Sequence, residues 1–401
     1  MTGQLSTAPA SRTVARESPW GFVIQAAAAL AAGMGVGRFV YSPILPLMHA
    51  QAGLSAGNGA HLATVNYAGY LVGALLGIAF PRLARSPVAL RIAFIALVAS
   101  LAAMACTEST PIWMTLRFVA GVASALIFVV TVNCLHSRLS GHPGHLSGWA
   151  FGGIGAGIAL SGVLVLALRV VADWRAAWLA SAVLAMILAA AAWRLRPDSA
   201  PSAESNPTAP QQFTAHSRRL FAALFTSYTL EGVGYIIAGT FLVAAIEQSS
   251  PGGLGSSAWV LVGVAAVPST ALWTWLVRRY SRAVLLMAAL LLQSLGIALP
   301  ALSSSPAAAL VAAALFGGTF AGISVLALAA GATLRLPHAV AVLTSGYSVG
   351  QIAGPLLAAP LLHDGYRPAL LLASAIVLAA AFAVLPLRAS RYRPITAPER
   401  V

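Results

Sequence analysis

The sequence has no lysine, nine acidic residues and two cysteines, and charged residues fill only 8% of its 401 positions. Ordinary soluble domains carry about 25% charged residues. Because disorder requires low hydrophobicity and high charge density, a chain that is 59% hydrophobic is neither a soluble globule nor a disordered segment. The absence of lysine excludes a P-loop, whose lysine binds nucleotide phosphates. The absence of alternating apolar and polar strands excludes a membrane β-barrel.

Long apolar runs make up most of the sequence, and they predict an all-α polytopic membrane protein. The hydrophobic fraction of 401 residues supplies about twelve helices of about twenty residues, the length that crosses a bilayer. Twelve runs are found, at 20–48, 60–80, 88–106, 111–134, 146–169, 175–194, 219–246, 257–277, 283–301, 307–331, 339–361 and 367–387. The two cysteines, Cys106 and Cys134, fall near opposite ends of consecutive runs, so we expect no disulfide between them.

The longest interruption is rich in Pro, Ser and Ala and divides the runs into two groups of six. Such a composition is typical of a flexible linker. We therefore predict five segments: a cytoplasmic tail at 1–19, a six-helix bundle at 20–194, a cytoplasmic linker at 195–218, a second six-helix bundle at 219–387 and a cytoplasmic tail at 388–401.

The arginines predict the orientation of the chain. With the N-terminus inside, eighteen arginines fall on the cytoplasmic side and only Arg169, Arg175 and Arg367 fall outside, as positively charged loops remain in the cytoplasm. Both termini are therefore predicted to be cytoplasmic, in a bacterial inner membrane. The net charge of +14 is read as a signal for orientation near lipid headgroups, and no nucleic-acid partner is expected.

The two halves repeat each other at a nearly constant offset. A shift of 197 places Gly35-Val36-Gly37 on Gly232-Val233-Gly234, and a shift of 192 later places Trp174-Arg175 on Tyr366-Arg367. Because each half holds an even number of spans, the two copies have the same orientation. Such parallel repeats are typical of transporters built from two halves.

This pattern resembles the major facilitator superfamily over nearly the whole chain. Arg117-Phe-Val-Ala-Gly121 is similar to an element of its proton-coupled members. Within the superfamily, GMGVGRFVYSPILPLM at 33–48 and EGVGYIIAGTFLVA at 231–244 resemble the YbfB/YjiJ-type branch. The resemblance implies two six-helix bundles around a central cavity lined by the first, fourth, seventh and tenth spans.

The resemblance also implies a basic gating loop after the second span, with an echo after the eighth. Arg82 and Arg85 occupy the first loop, and Arg279 and Arg282 occupy the second. The acidic residue usual in this signature is missing, because Leu83-Ala84 precedes Arg85.

Only three charged residues fall well inside predicted spans: Arg38, Arg117 and Glu231. An ionisable group costs several kcal/mol at the bilayer centre, which makes each a candidate functional residue. Two cations and one carboxylate leave a net positive charge, so we predict that Arg38 and Arg117 bind a small organic anion bidentately.

Polar and aromatic residues at helical spacing extend the predicted binding site. Tyr41 follows Arg38 by three positions, Tyr235 follows Glu231 by four, and Tyr347 and Gln351 form a similar pair in the eleventh span. These groups suit a substrate with a ring or a hydrogen-bonding tail.

Glu231 has three open interpretations. Its carboxylate can take up a proton and couple transport to it, it can pair with Arg38 or Arg117 as a structural ion pair, or it can contact the substrate. We assign it to proton coupling, since a proton that breaks an ion pair between the halves would itself be a coupling mechanism.

The sequence therefore predicts a proton-coupled secondary transporter that moves a small organic anion by alternating access. The expected partners are the substrate, protons and membrane lipid, and the chain is expected to be a monomer. No arrangement of residues indicates an enzyme, a cofactor or a metal site. Two alternatives stay open: a proton-coupled exporter of drugs or cations, and a non-transporting membrane sensor.

Overall fold

The computed structural model describes residues 19–139, 145–196, 215–334 and 338–389. Across these ranges the chain is helical with short turns and no strand, and twelve of its helices are long and apolar enough to cross a membrane. We number them span 1 to span 12 in chain order. They are Pro19–Ala52, Ala56–Ala79, Pro87–Met104, Thr110–Leu139, Leu146–Leu168, Trp174–Ala191, Ala215–Ser249, Leu254–Leu276, Arg282–Leu302, Pro306–Thr333, Ala339–Asp364 and Arg367–Arg388. The predicted twelve-helix fold is confirmed.

Several helices continue past the predicted apolar runs. Span 7 begins at Ala215 rather than at residue 219, because polar residues extend a helix into the headgroup region, whereas hydropathy marks only the part inside hydrocarbon. Residues 215–218 of the predicted linker are thus helical. Positions 197–214 of the linker, and nearly all of both predicted tails, lie outside the described residues.

Short polar side chains cap many of the spans. Ser55, Ser86, Asp173, Ser281 and Ser305 each accept a hydrogen bond from the amide three residues later. Such caps satisfy amides that have no partner inside the helix. The caps therefore define where spans 2, 3, 6, 9 and 10 begin.

Small residues bring spans into close contact. A Cβ atom at Gly69 of span 2 would lie 2.2 Å from the carbonyl oxygen of Phe118 in span 4. Between the halves, a Cβ atom at Gly155 of span 5 would lie 2.6 Å from the carbonyl oxygen of Gly263 in span 8. Glycine permits these approaches, so the close packing of spans 5 and 8 depends on it.

The internal repeat is visible in the hydrogen bonds. Gln51 accepts a bond from the Trp174 amide at 2.7 Å, and Gln248 accepts one from the Tyr366 amide at 3.1 Å. The two glutamines are 197 positions apart and the two amides 192, the offsets found in the sequence. The same bond therefore ties the end of the first span to the start of the sixth in both copies.

The two halves are closed against each other at the end away from the N-terminus. Ser42 of span 1 donates to the carbonyl oxygen of Gly239 in span 7, and Tyr67 of span 2 lies 3.0 Å from Thr240. Every residue of span 7 from Glu231 to Ile246 is buried, whereas its first half is partly exposed. The central spans therefore pack most tightly in this half of the bundle.

Candidate functional site

All three charged residues predicted inside the spans are buried. Arg38 is 3% exposed, Arg117 1% and Glu231 0%. The guanidinium of Arg117, on span 4, contacts the backbone of span 1 next to Arg38, whereas Glu231 lies apart from both, within the second half of the chain.

Span 1 loses regular α-helical geometry next to Arg38. Ala31–Val36 is a π-helix, and the amides of Arg38 and Phe39 both bond to the carbonyl oxygen of Met34. Pro43 has no amide to donate four residues back, and the Ser42 amide bonds to Phe39 instead. The interruption leaves carbonyl groups without helical partners and turns the Arg38 side chain toward span 11.

Arg38 lies in an aromatic cage and contacts the other half of the chain. Its Nη2 donates a hydrogen bond to Oε1 of Gln351 on span 11. Its guanidinium lies 4.9 Å from the ring centre of Tyr67 and 4.3 Å from that of Tyr70. Its Nε is buried without a hydrogen-bond partner, and no ion pair of Arg38 is found among the described residues. The site thus holds a cation with an unused donor.

Arg117 supports the backbone of span 1. Its Nη1 donates to the carbonyl oxygen of Gly37 and its Nη2 to that of Arg38, both at 3.3 Å. Below it lies the ring of Tyr41 at 4.9 Å, and the Tyr41 hydroxyl donates to the carbonyl oxygen of Gly59 at 2.9 Å. Arg117 therefore satisfies carbonyl groups that the interruption leaves free.

Tyr41 and Arg38 face different neighbours, although their spacing placed them on one face. Tyr41 stacks near Trp178 of span 6, with ring centres 6.5 Å apart, whereas Arg38 contacts spans 2 and 11. The helical wheel fails here because the helix is interrupted between the two positions. Trp178 and Tyr67 were not identified from the sequence: Trp178 stands among apolar residues, whereas Tyr67 follows Asn66 and precedes Tyr70 by three positions, a spacing that could have indicated it.

Glu231 points into the second half of the chain. Ser227 and Gly234 lie on the same helix face as Glu231 and pack on span 12. Ser227 donates a hydrogen bond to the carbonyl oxygen of Ala380. A Cβ atom at Gly234 would lie 2.7 Å from the carbonyl oxygen of Ala373. Glu231 makes no ion pair with the described residues. The structural ion pair with Arg38 or Arg117 is therefore not formed in this conformation.

Gln293 of span 9 is the polar neighbour of Glu231. The two side chains interact electrostatically, yet both carboxylate oxygens and both amide atoms lack a hydrogen bond that meets ordinary geometry, and both residues are fully buried. Gln293 was not identified from the sequence, although a glutamine within the apolar run of span 9 indicates a buried polar contact.

Stacked tyrosines lie between Glu231 and Arg38. The ring centres of Tyr228 and Tyr347 are 4.4 Å apart, and those of Tyr235 and Tyr347 are 5.9 Å apart. Tyr235 and Tyr347 each interact electrostatically with both Arg38 and Glu231. The tyrosines thus join the cation and the carboxylate through one polar and aromatic layer.

The four arginines predicted in the gating loops lie exposed near the ends of spans 2, 3, 8 and 9: Arg82, Arg85, Arg279 and Arg282. The guanidinium of Arg279 lies 5.4 Å from the ring centre of Trp275. Their role in gating stays a prediction. Among the residues that the structure describes, no group of three His, Cys, Asp or Glu side chains lies close enough to hold a metal ion.

Comparisons with known proteins agree with this architecture. The family model described as "Uncharacterised MFS-type transporter YbfB" matches residues 30–385. A solved structure of a mutant of the nucleoside transporter NupG is similar to this chain with a TM-score of 0.66 at 15% identity, covering 90% of this chain and 99% of that one. This likeness shows the fold alone. None of the curated proteins matches the sequence.

Proposed function

The chain belongs to the YbfB-type family of the major facilitator superfamily, and on that premise we propose that it is a proton-coupled secondary transporter of a small organic anion. The family and fold are those of transporters, and the twelve apolar spans make the chain a multi-pass membrane protein. The bacterial inner membrane, cytoplasmic termini, a monomeric state and alternating access are parts of the proposal.

The observation that carries the anion proposal is the state of Arg38. It is 3% exposed, its Nε has no hydrogen-bond partner, and no carboxylate among the described residues neutralises it. A buried guanidinium in this state favours an anionic ligand that accepts bonds in its fork geometry. The surrounding tyrosines favour an anion that also carries a planar ring. Arg117 supports Arg38 through the backbone, and Tyr41 supports Arg117.

An aromatic cage can also bind organic cations, which is the basis of the exporter alternative. Arg38 itself occupies the faces of Tyr67 and Tyr70, where such a cation would bind. A cationic substrate would have to displace this guanidinium or accept a like charge beside it. The geometry therefore favours the anion over the cation.

Glu231 is the proposed proton-coupling residue. A fully buried carboxylate that has no cation beside it in the described part of the chain is costly in its charged form, so proton uptake suits this conformation. Release of the proton would place a negative charge behind the tyrosines that contact Arg38. We propose that this charge changes the affinity of Arg38 for the substrate and so couples proton release to substrate binding.

The experiment is a thermal-shift screen of the purified protein, with one panel of aromatic carboxylates and sulfonates and a second of lipophilic cations. A ligand at 100 times its Kd stabilises a protein by about 2.7 kcal/mol. We expect stabilisation by anions, lost in Arg38→Ala and retained in Arg175→Ala, whose exposed guanidinium pairs with Glu108 outside the site. Stabilisation by cations that persists in Arg38→Ala would contradict the proposal and favour the exporter.

A further inference from the structure

An apolar groove lies on the outside of the bundle between spans 3 and 6. Its volume is about 750 Å³, and its walls include Phe94, Ile95 and Val98 of span 3 and Met186 of span 6. The remaining wall is mostly alanine from both spans, and these short side chains leave the space open. The groove is separate from the Arg38 site and shares no lining residue with it.

One end of the groove is positively charged. Arg194 lines it, beside Trp193, and the guanidinium of Arg91 lies 5.5 Å from the centre of the Trp193 ring. The Nε of Arg91 is buried without a hydrogen-bond partner. In the part of the chain that the structure describes, neither arginine pairs with a carboxylate, so two cations remain uncompensated at this end.

The groove has the length of one membrane leaflet. Span 3 rises about 16 Å from Arg91 to Ala102, at 1.5 Å per residue. Half of the hydrocarbon core of a bilayer is about 15 Å. Trp193 marks the polar end, where tryptophan side chains lie at the level of the headgroups. An acyl chain that begins at the arginines would therefore fit along the groove.

We propose that this groove binds one anionic phospholipid, with an acyl chain between spans 3 and 6 and its phosphate at Arg91 and Arg194. Basic pockets between spans bind anionic headgroups, and the apolar walls select a lipid over a free phosphate. Phosphatidylglycerol and similar lipids satisfy both requirements, because they join a negative headgroup to a long acyl chain.

Native mass spectrometry of the full chain, released from detergent, measures the binding of phosphatidylglycerol and of phosphatidylcholine with the same acyl chains. We expect one phosphatidylglycerol molecule to stay bound, with an affinity at least tenfold higher than that of phosphatidylcholine. Each arginine near a membrane surface contributes about fivefold in affinity, so the double variant Arg91→Ala/Arg194→Ala should bind it more than tenfold more weakly. The control is Arg218→Ala/Arg219→Ala, which removes two exposed arginines at the start of span 7.

A second variant tests the acyl chain separately. Ala99 is an exposed residue in the wall of the groove, so Ala99→Trp should fill the space, keep both arginines and weaken phosphatidylglycerol binding at least tenfold. Thermal melting without lipid checks that each variant is folded. The proposal would be overturned if the two lipids bind equally, or if the arginine double variant binds phosphatidylglycerol as tightly as the wild type does. It would also be overturned if oleate displaces bound phosphatidylglycerol as well as phosphatidylglycerol itself does.

Discussion

Arg38 of span 1 donates a hydrogen bond to Gln351 of span 11, so a cation from one half of the chain is held by a neutral amide from the other. The amide accepts one bond and leaves the positive charge uncompensated. A carboxylate at the same place would neutralise the guanidinium and compete with any anionic ligand. The contact therefore links the halves while Arg38 stays available to a substrate.

Gln351→Glu should place a competing anion beside Arg38. We expect the melting temperature to rise, because a buried ion pair forms between the halves, and stabilisation by anions to fall at least tenfold in apparent affinity. The measurement is the thermal-shift titration with the anion panel. Gln351→Met is the control, because it removes the acceptor of one bond from a charged donor, worth about 1.5–3 kcal/mol, without adding charge. Wild-type anion binding in Gln351→Glu would contradict the role of Arg38.

Arg117→Met should destabilise the protein. It leaves the carbonyl groups of Gly37 and Arg38 without the donors that Arg117 supplies, which costs about 2–4 kcal/mol in total. Arg175→Met, at an exposed ion pair, should cost about 1 kcal/mol or less. Thermal unfolding of the purified variants measures the difference. If Arg117→Met melts like the wild type and loses only anion binding, Arg117 contacts the substrate directly.

Glu231→Gln should uncouple transport from protons. In proteoliposomes, an imposed pH gradient should drive net transport of the substrate by the wild type and have no effect on the variant, because an amide cannot exchange a proton. Exchange of labelled for unlabelled substrate should continue, since it needs no net proton movement. Glu108→Gln, at an exposed carboxylate, is the control. Gradient-driven transport by Glu231→Gln would exclude this residue as the coupling site.

Gln293→Leu tests whether the neighbour of Glu231 contributes to proton uptake. The Gln293 amide can donate to the Glu231 carboxylate and so favours its ionised form, which means that loss of the side chain favours the protonated form. We expect the pH at which coupled transport is half-maximal to rise in Gln293→Leu and to recover in Gln293→Asn. An unchanged pH profile would assign Gln293 to packing alone.

The fold was predictable because it depends on long-range periodic features. Hydropathy located all twelve spans, and the offsets of 197 and 192 anticipated the matched bonds of Gln51 and Gln248. These signals extend over many residues, so single irregularities do not obscure them.

The site was less predictable because it depends on an irregularity. Charge alone identified Arg38, Arg117 and Glu231, but helical spacing assumed a continuous span 1. The π-helix and the following turn rotate Arg38 away from Tyr41 and give Arg117 its backbone partners. Which polar groups meet across different spans, as Glu231 and Gln293 do, depends on packing that no local pattern contains.

An ion pair joins the two halves of the chain at the closed end of the bundle. Arg169, directly after span 5, lies 3.6 Å from Glu247 of span 7, and Glu247 also accepts bonds from the amides of Gly253 and Gly255. Arg169→Gln removes the pair and keeps these amide bonds, so it should shift the protein toward a state open at this end. A partly exposed pair is worth about 1 kcal/mol, which corresponds to roughly a fivefold change in population.

The labelling rate of Ser42→Cys by a membrane-impermeant thiol reagent, in a Cys106→Ser/Cys134→Ser background, should rise by that factor. Arg175→Gln breaks a pair within one half and should leave the rate unchanged, and equal rates in the two variants would show that the Arg169 pair does not hold this end closed.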